Sequence, residues 1–191
     1  MRKLTYFAAV SIDGYIAGPR GEFDFYPLGE DQIAWVNENY PDSVPVHVRD
    51  YFGMPRDIPN KHWDTVLMGR GSYEPGLTVG VANPYPHLKQ YVFSRTLAAA
   101  DCLDVEIVDT DPVALVQQLK KEAGLDIWLC GGGNLATQLL GEIDHLIIKS
   151  YPVVAGGGIP LFGANFQPTR FRVTERRQFD NGTQMSWFDR A

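Results

Sequence analysis

Apolar residues fall along the chain in short runs separated by glycine- and proline-rich breaks. Leu4 to Ile12 is mostly apolar and stops at Asp13-Gly14, a pair that tolerates turn geometry, so it predicts a buried strand. Thr65-Val66-Leu67-Met68, Tyr91-Val92-Phe93, Val105 to Val108, Asp126 to Cys130 and Leu146-Ile147-Ile148 predict further strands of similar length. Between several of them the spacing turns helical. Ile33, Trp35 and Val36 follow the acids Glu30 and Asp31, which suit a helix N-terminus. Asp111-Pro112 opens the clearest helix, with an acid at the N-cap, proline at the first helical position, Val113, Val116 and Leu119 on one face, and Gly124 closing it. Another helix is expected after Gly131-Gly132-Gly133, running through Leu140. Residues 17–30 read as loop, and residues 41–62, with Pro41, Pro45, Pro55 and Pro59, as an irregular excursion over the core.

The C-terminal pattern is different. Arg170 to Phe179 and Thr183 to Phe188 flank Asp180-Asn181-Gly182, and Asn-Gly between alternating segments signals a hairpin. The whole chain, residues 1–191, is therefore expected to form one α/β domain: a mixed, mostly parallel central sheet flanked by helices, with an antiparallel C-terminal hairpin.

A net charge of −6 argues against a nucleic-acid or anionic-membrane surface. Arg170, Arg172, Arg176 and Arg177 alternate with other residues as the solvated face of a strand would. The apolar start Leu4 to Val10 imitates a signal peptide but meets Asp13-Gly14 without a cleavage context, so a cytoplasmic protein is the default expectation. Cys102 and Cys130 form no C-x-x-C, and Cys130 reads as a small buried hydrophobe. His47, His62, His87 and His145 share no metal-ligand spacing, so no metal site is expected.

The glycine turn after Cys130 carries the most suggestive chemistry. A strand running into glycines and then a helix exposes backbone N–H groups to an approaching pyrophosphate. Gly131, Gly133 and Ala136 satisfy the loose dinucleotide pattern, which a purely structural turn satisfies equally well. A Rossmann dehydrogenase would place an acid about 20 residues further on, at the end of the next strand. That strand ends Lys149-Ser150-Tyr151-Pro152, so the Rossmann reading is disfavoured.

Val10-Ser-Ile-Asp-Gly-Tyr-Ile-Ala-Gly18, Val66-Leu-Met-Gly-Arg-Gly-Ser-Tyr-Glu74, Tyr91-Val-Phe-Ser-Arg95 and Trp128-Leu-Cys-Gly-Gly-Gly133 together resemble the dihydrofolate-reductase-like superfamily. Tyr151-Pro-Val-Val-Ala-Gly-Gly-Gly-Ile-Pro-Leu-Phe162 resembles the branch containing the reductase domain of the riboflavin-biosynthesis deaminase–reductase. The deaminase zinc signature is missing. The resemblance implies NADPH as cofactor. It implies that Ala9 and Ile16 flank the nicotinamide, and that Gly132 and Gly133 approach the pyrophosphate within the turn Gly131 to Asn134. Arg70, with Gly69 and Ser72 nearby, and Ser94 with Arg95 would surround the adenosine ribose and its 2′-phosphate, where forked arginine donors suit the extra charge.

In dihydrofolate reductases proper an acid at the start of the first helix binds the pterin. Glu30 or Asp31 takes that place here, or neither does, and Asp24 is a third candidate in the same loop. Glu30 and Asp31 equally suit helix capping, and Asp13 suits the turn in which it lies. The resulting expectation is an NADPH-dependent reductase delivering hydride to a C=N or related bond of a small heterocyclic substrate, similar to the riboflavin-pathway reductase. A true dihydrofolate reductase and a noncatalytic NADPH-binding protein are the alternatives. A homodimer is expected, partly from the resemblance and partly because Tyr151, Val153, Val154, Ile159, Leu161 and Phe162 exceed what one sheet edge covers.

Overall fold

The structure is a computed structural model describing residues 1–97 and 104–191, so Cys102 lies outside the described residues. The strands are β1 (Leu4–Val10), β2 (Tyr15–Ala17), β3 (Trp63–Gly69), β4 (Lys89–Phe93), β5 (Glu106–Val108), β6 (Asp126–Gly131), β7 (His145–Ser150), β8 (Ile159–Pro160), β9 (Phe171–Gln178) and β10 (Gln184–Arg190). The longer helices are α1 (Glu30–Asn39), α3 (Arg70–Thr78), α4 (Pro112–Leu119) and α5 (Gly133–Gln138), with a short α2 (Val46–Arg49) in the 41–62 excursion. Eight strands form one sheet in the order β5-β4-β3-β6-β1-β7-β10-β9. All its neighbours are parallel except β7–β10 and β10–β9. The mixed sheet and its C-terminal hairpin match the expectation.

Alternation along β1 sorts the two cores. Leu4, Tyr6 and Ala8 join Leu67, Ile127 and Leu129 on the face covered by α4 and α5 through Val116, Leu119, Leu135 and Leu139. Phe7 points the other way, with Val66, Met68, Trp128 and Ile147, under Trp35 and Val36 of α1 and Tyr73 of α3. Both faces of the central strands are therefore buried, which is why these strands read as continuous apolar runs.

Three expectations shift. β1 stops at Val10 because Ser11 N–H turns to the Tyr15 carbonyl at 2.9 Å, and the chain returns as β2 to pair with β8 in a separate two-stranded sheet. The α4 helix ends at Leu119, five residues before Gly124. There the Lys120 ammonium leaves the helix for Asp144 at 2.8 Å and the Glu142 carbonyl at 2.6 Å. Gly124, at φ +147°, serves the later turn, where a Cβ would collide with the Asp64 carboxylate. The helix after the glycines ends at Gln138, not Leu140.

The excursion is held by two fully buried charged residues, which its proline content does not announce. Asp42 accepts the backbone N–H groups of Lys61, His62 and Trp63 at 2.8, 2.6 and 3.0 Å, delivering the chain into β3. Arg49 donates to the carbonyls of Pro41, Val44 and Arg56. At the opposite edge β9 is solvated on both faces, with Arg172, Arg176 and Arg177 all exposed and the Arg177 guanidinium 4.8 Å from the Trp35 ring centroid.

The apolar series offered as a dimer motive is mostly covered within one chain. Tyr151 is buried, Leu161 and Phe162 pack against the first core, and Val154 alone is exposed. Among the described residues no helix is long and apolar enough to cross a membrane.

Candidate active site

A cleft of about 950 Å³ opens where the carboxyl ends of β1, β3 and β6 meet the 16–28 loop. Ligands of open α/β sheets gather at this side of the sheet. Its two ends differ in chemistry.

The first end is built from glycines and one arginine. Gly69 ends β3 and caps α3, so Arg70, Gly71 and Ser72 emerge at the cleft. Arg70 donates to the Thr96 hydroxyl at 2.8 Å and pairs with Glu74 at 3.3 Å, bridging the exits of β3 and β4. Ser94 does not line the cleft; its hydroxyl accepts the N–H groups of Thr96 and Leu97 and holds Thr96 toward Arg70. Arg95 does not line it either. Of the set Arg70, Ser94 and Arg95, Arg70 alone is brought to the cleft, and Thr96, also outside the lining, meets it only through its bond to Arg70. The available signal was the hydroxyl pair of Ser94-Arg95-Thr96 just beyond a buried strand.

Gly132, Gly133 and Asn134 line the same end, and the Gly131–Gly132 peptide is cis. A Cβ on Gly132 would meet only Ile16 and the Ser72 hydroxyl, at 3.7 and 3.9 Å, so its backbone is open to the cleft. Gly133 is constrained differently. A Cβ there would overlap the carbonyl oxygen of Pro160 in β8, so this glycine is required by packing whether or not a phosphate approaches. The donor set at this end, one guanidinium with hydroxyls and unobstructed glycine backbone, fits the phosphates of a dinucleotide. Ala9 and Ile16 line the middle of the cleft.

The far end is aromatic with one cation. Phe7 pairs in register with Ile147, and Ala9 with Lys149, so Phe7, Ala9 and Lys149 share a sheet face. Cys130 in β6 lies on that face too, two residues beyond Trp128. The Lys149 ammonium stands 4.5 Å from the Phe7 ring centroid and has no carboxylate partner among the described residues. Its apolar surroundings lower its pKa to about 8. The same burial raises the Cys130 thiol to about 12, outweighing the ammonium beside it. Tyr26 is raised to about 12, and Tyr85 and Tyr151 are also raised, each chiefly by burial. The Trp128 indole N–H is buried without a hydrogen-bond partner.

Of the three carboxylates considered, only Asp24 lines the cleft. Glu30 and Asp31 are exposed at the start of α1, and neither caps it with its side chain. Asp31 accepts the Asp180 N–H at 3.0 Å, tying α1 to the hairpin turn. The inward side chain of that first helical turn is Gln32, which is buried and donates to the Tyr151 hydroxyl at 2.6 Å. Lys149, Trp128 and Gln32 were missed because each sits in an apolar or helical run where a polar residue carries no motif.

Asp13 serves its own turn and a distant segment together. It accepts from the Ser11 hydroxyl and from the N–H groups of Ala155 and Gly156, and these bonds lower its pKa to about 2.

A family model described as the RibD C-terminal domain matches residues 2–185. The Bacillus subtilis proteins YwjB and YyaP, both uncharacterized, are each 30% identical to the chain. The first matches over 97% of both chains, and the second over 95% of this chain and 91% of its own length. Among solved structures, a putative riboflavin biosynthesis protein from Shewanella sp. PV-4 superposes with a TM-score of 0.71 at 23% identity, covering 99% of each chain. The Thermotoga maritima diaminohydroxyphosphoribosylaminopyrimidine deaminase/5-amino-6-(5-phosphoribosylamino)uracil reductase gives 0.66 at 15% identity, with all of this chain covering 57% of that one. A pyrimidine reductase-like protein from Corynebacterium diphtheriae gives 0.63 at 16% identity, covering 100% and 92%.

Proposed function

The chain belongs to the RibD C-terminal domain family, and on that premise we propose that it is an NADPH-dependent reductase of a C=N or related bond in a small heterocyclic substrate. One observation carries the reading. A single cleft joins a phosphate-compatible end at Arg70 and Gly132 to an aromatic end bearing Lys149, with Ala9 and Ile16 between them.

In this reading Arg70, braced by Thr96, holds the 2′-phosphate, Ser72 and the Gly132 backbone face the pyrophosphate, and Ala9 and Ile16 flank the nicotinamide. NADPH supplies hydride when bound; the protein orients the substrate, excludes water and provides a proton. The aromatic walls at Phe7, Trp128 and Tyr151 suit a planar ring.

Dihydrofolate is not the substrate proposed. Carboxylate-to-pterin pairing is directional, and the inward group at the first turn of α1 is the amide of Gln32 while Glu30 and Asp31 face solvent. The homodimer now rests on the resemblance alone, and light scattering at micromolar concentration checks it.

The deciding experiment titrates NADPH and NADH by fluorescence and then follows NADPH consumption with a ribosylaminopyrimidine phosphate or dihydrofolate. Saturable binding with preference for NADPH supports the proposal. Absence of NADPH binding rejects it, and efficient dihydrofolate turnover rejects the substrate reading.

A further inference from the structure

We propose that the Lys149 end of the cleft takes an unphosphorylated, planar heteroaromatic compound and that Lys149 protonates the reduced bond, an inference that rests on the reductase reading above.

The charge inventory argues against a phosphorylated substrate arm. Among the described residues two cations line the cleft, Arg70 and Lys149, and Arg70 is bound to Thr96 and Glu74 at the opposite end. Arg49 does not line the cleft, and its guanidinium already donates to three backbone carbonyls. A phosphate dianion at the far end would face one ammonium, neutral phenols and a neutral thiol. Buried anions need paired, charge-assisted donors, and one lysine is insufficient for two negative charges. A flat, uncharged ring meets no such cost. It stacks on the aromatic walls, and its acceptor atoms find the Lys149 ammonium.

The step balances. The imine carbon accepts hydride from the dihydronicotinamide, which is oxidised to the pyridinium form. The C=N π pair moves onto nitrogen, which takes a proton from Lys149 Nζ, and the neutral amine regains that proton from water. Burial lowers the lysine pKa to about 8, leaving it protonated at neutral pH and readily able to give up its proton. The groups sharing its end of the cleft are Cys130 from β6, Tyr26 from the loop, and Tyr85 and Tyr151, and Asp24 lines the cleft from the same loop. The thiol and the three phenols are all shifted upward and stay neutral across pH 6–9.5.

Wild type, Lys149→Met and Lys149→Arg should be titrated calorimetrically without cofactor between pH 6 and 9.5. The probes are quinazolin-4-one and quinazoline-2,4-dione against uridine 5′-monophosphate and FMN, with NADPH titrated separately. A quinazoline is expected to bind at least tenfold more tightly than either phosphate, with affinity declining above pH 8. Lys149→Met should weaken it at least tenfold, and Lys149→Arg should retain binding with a flat pH profile, while both bind NADPH as wild type does. Tighter phosphate binding, no quinazoline binding, or an unchanged affinity and pH profile in both variants overturns the proposal. If Lys149→Met loses NADPH as well, Lys149→Arg decides: a retained decline above pH 8 overturns it and a flat profile supports it. Failure of wild type to bind NADPH sinks the reductase reading separately.

Discussion

The Asp13 carboxylate accepts the Gly156 N–H at 2.7 Å across 143 residues of chain, and the Ala155 N–H at 2.9 Å through its other oxygen. This clamp ties the turn after β1 to the glycine segment that leads into β8, so the loop bearing Ile16 and the Pro160 carbonyl beneath Gly133 are set together. Asp13→Ala is expected to keep the fold, speed amide exchange at residues 155–158 and weaken NADPH several-fold. The carboxylate pKa is depressed from 3.8 to about 2, so its contribution is complete above pH 4 and disappears as pH falls toward 2. Hydrogen exchange of wild type and variant at pH 7 and pH 3 checks this; identical protection of 155–158 at pH 7 rejects it.

Arg70, and not Arg95, should govern cofactor choice. A hydrogen bond to a charged group contributes about 1.5–3 kcal/mol, so Arg70→Ala should weaken NADPH roughly tenfold or more and leave NADH nearly unchanged. Arg95→Ala should have a smaller effect, because Arg95 does not line the cleft. Parallel fluorescence titrations decide, and equal losses for both cofactors remove the 2′-phosphate assignment.

The two neighbouring glycines should respond differently. Gly133→Ala forces a methyl group onto the Pro160 carbonyl and should cost about 1–3 kcal/mol or more of stability, an overpacking penalty read by denaturant unfolding. Gly132→Ala has room and should fold normally, with its effect confined to NADPH affinity. A stable Gly133→Ala protein contradicts this account.

Lys149 should make the protein less stable than its apolar replacement at neutral pH. Its folded pKa of about 8 lies below the ordinary 10.5, so between those values the unfolded chain binds more protons and stability rises with pH. Lys149→Met should therefore be more stable by roughly 1–3 kcal/mol at pH 7, and its advantage should shrink between pH 8 and 10.5. Urea midpoints across that range test the sign.

Asp42→Ala should destabilise strongly. It leaves three backbone N–H groups at residues 61–63 without their acceptor, the one at Trp63 on buried chain, which costs about 2–4 kcal/mol in total. An unfolding midpoint within error of wild type would show that the excursion does not depend on this anchor.

Much of the architecture was legible because it depends on local rules. The apolar runs at 65–68, 91–93 and 126–130 need burial on both faces, Asp111-Pro112 caps a helix with its own atoms, and Asn181-Gly182 turns a hairpin without help from elsewhere. The phosphate-compatible end was readable for the same reason, since Gly69-Arg70 and Gly131-Gly132-Gly133 follow strands directly. What escaped was set by residues distant in sequence. Gly124 yielded the end of α4 to Lys120, whose partners lie at 142 and 144. Gly133 is glycine because of Pro160, and Asp13 binds residues 155–156 as well as Ser11 in its own turn.

By itself, then, the chain's pattern determined a mostly parallel sheet with a hairpin edge and a glycine turn after the strand that ends near Cys130. Tertiary structure alone decided which polar groups turn inward and which stay in water. Sheet register places Lys149 beside Ala9 and across from Cys130, while the same helical turn that sends Gln32 inward leaves Glu30 and Asp31 in water. A side chain's charge is written in the sequence. Its desolvation and its partners come from strands that meet only when the sheet is assembled, and these lower the pKa of a lysine set in an apolar strand.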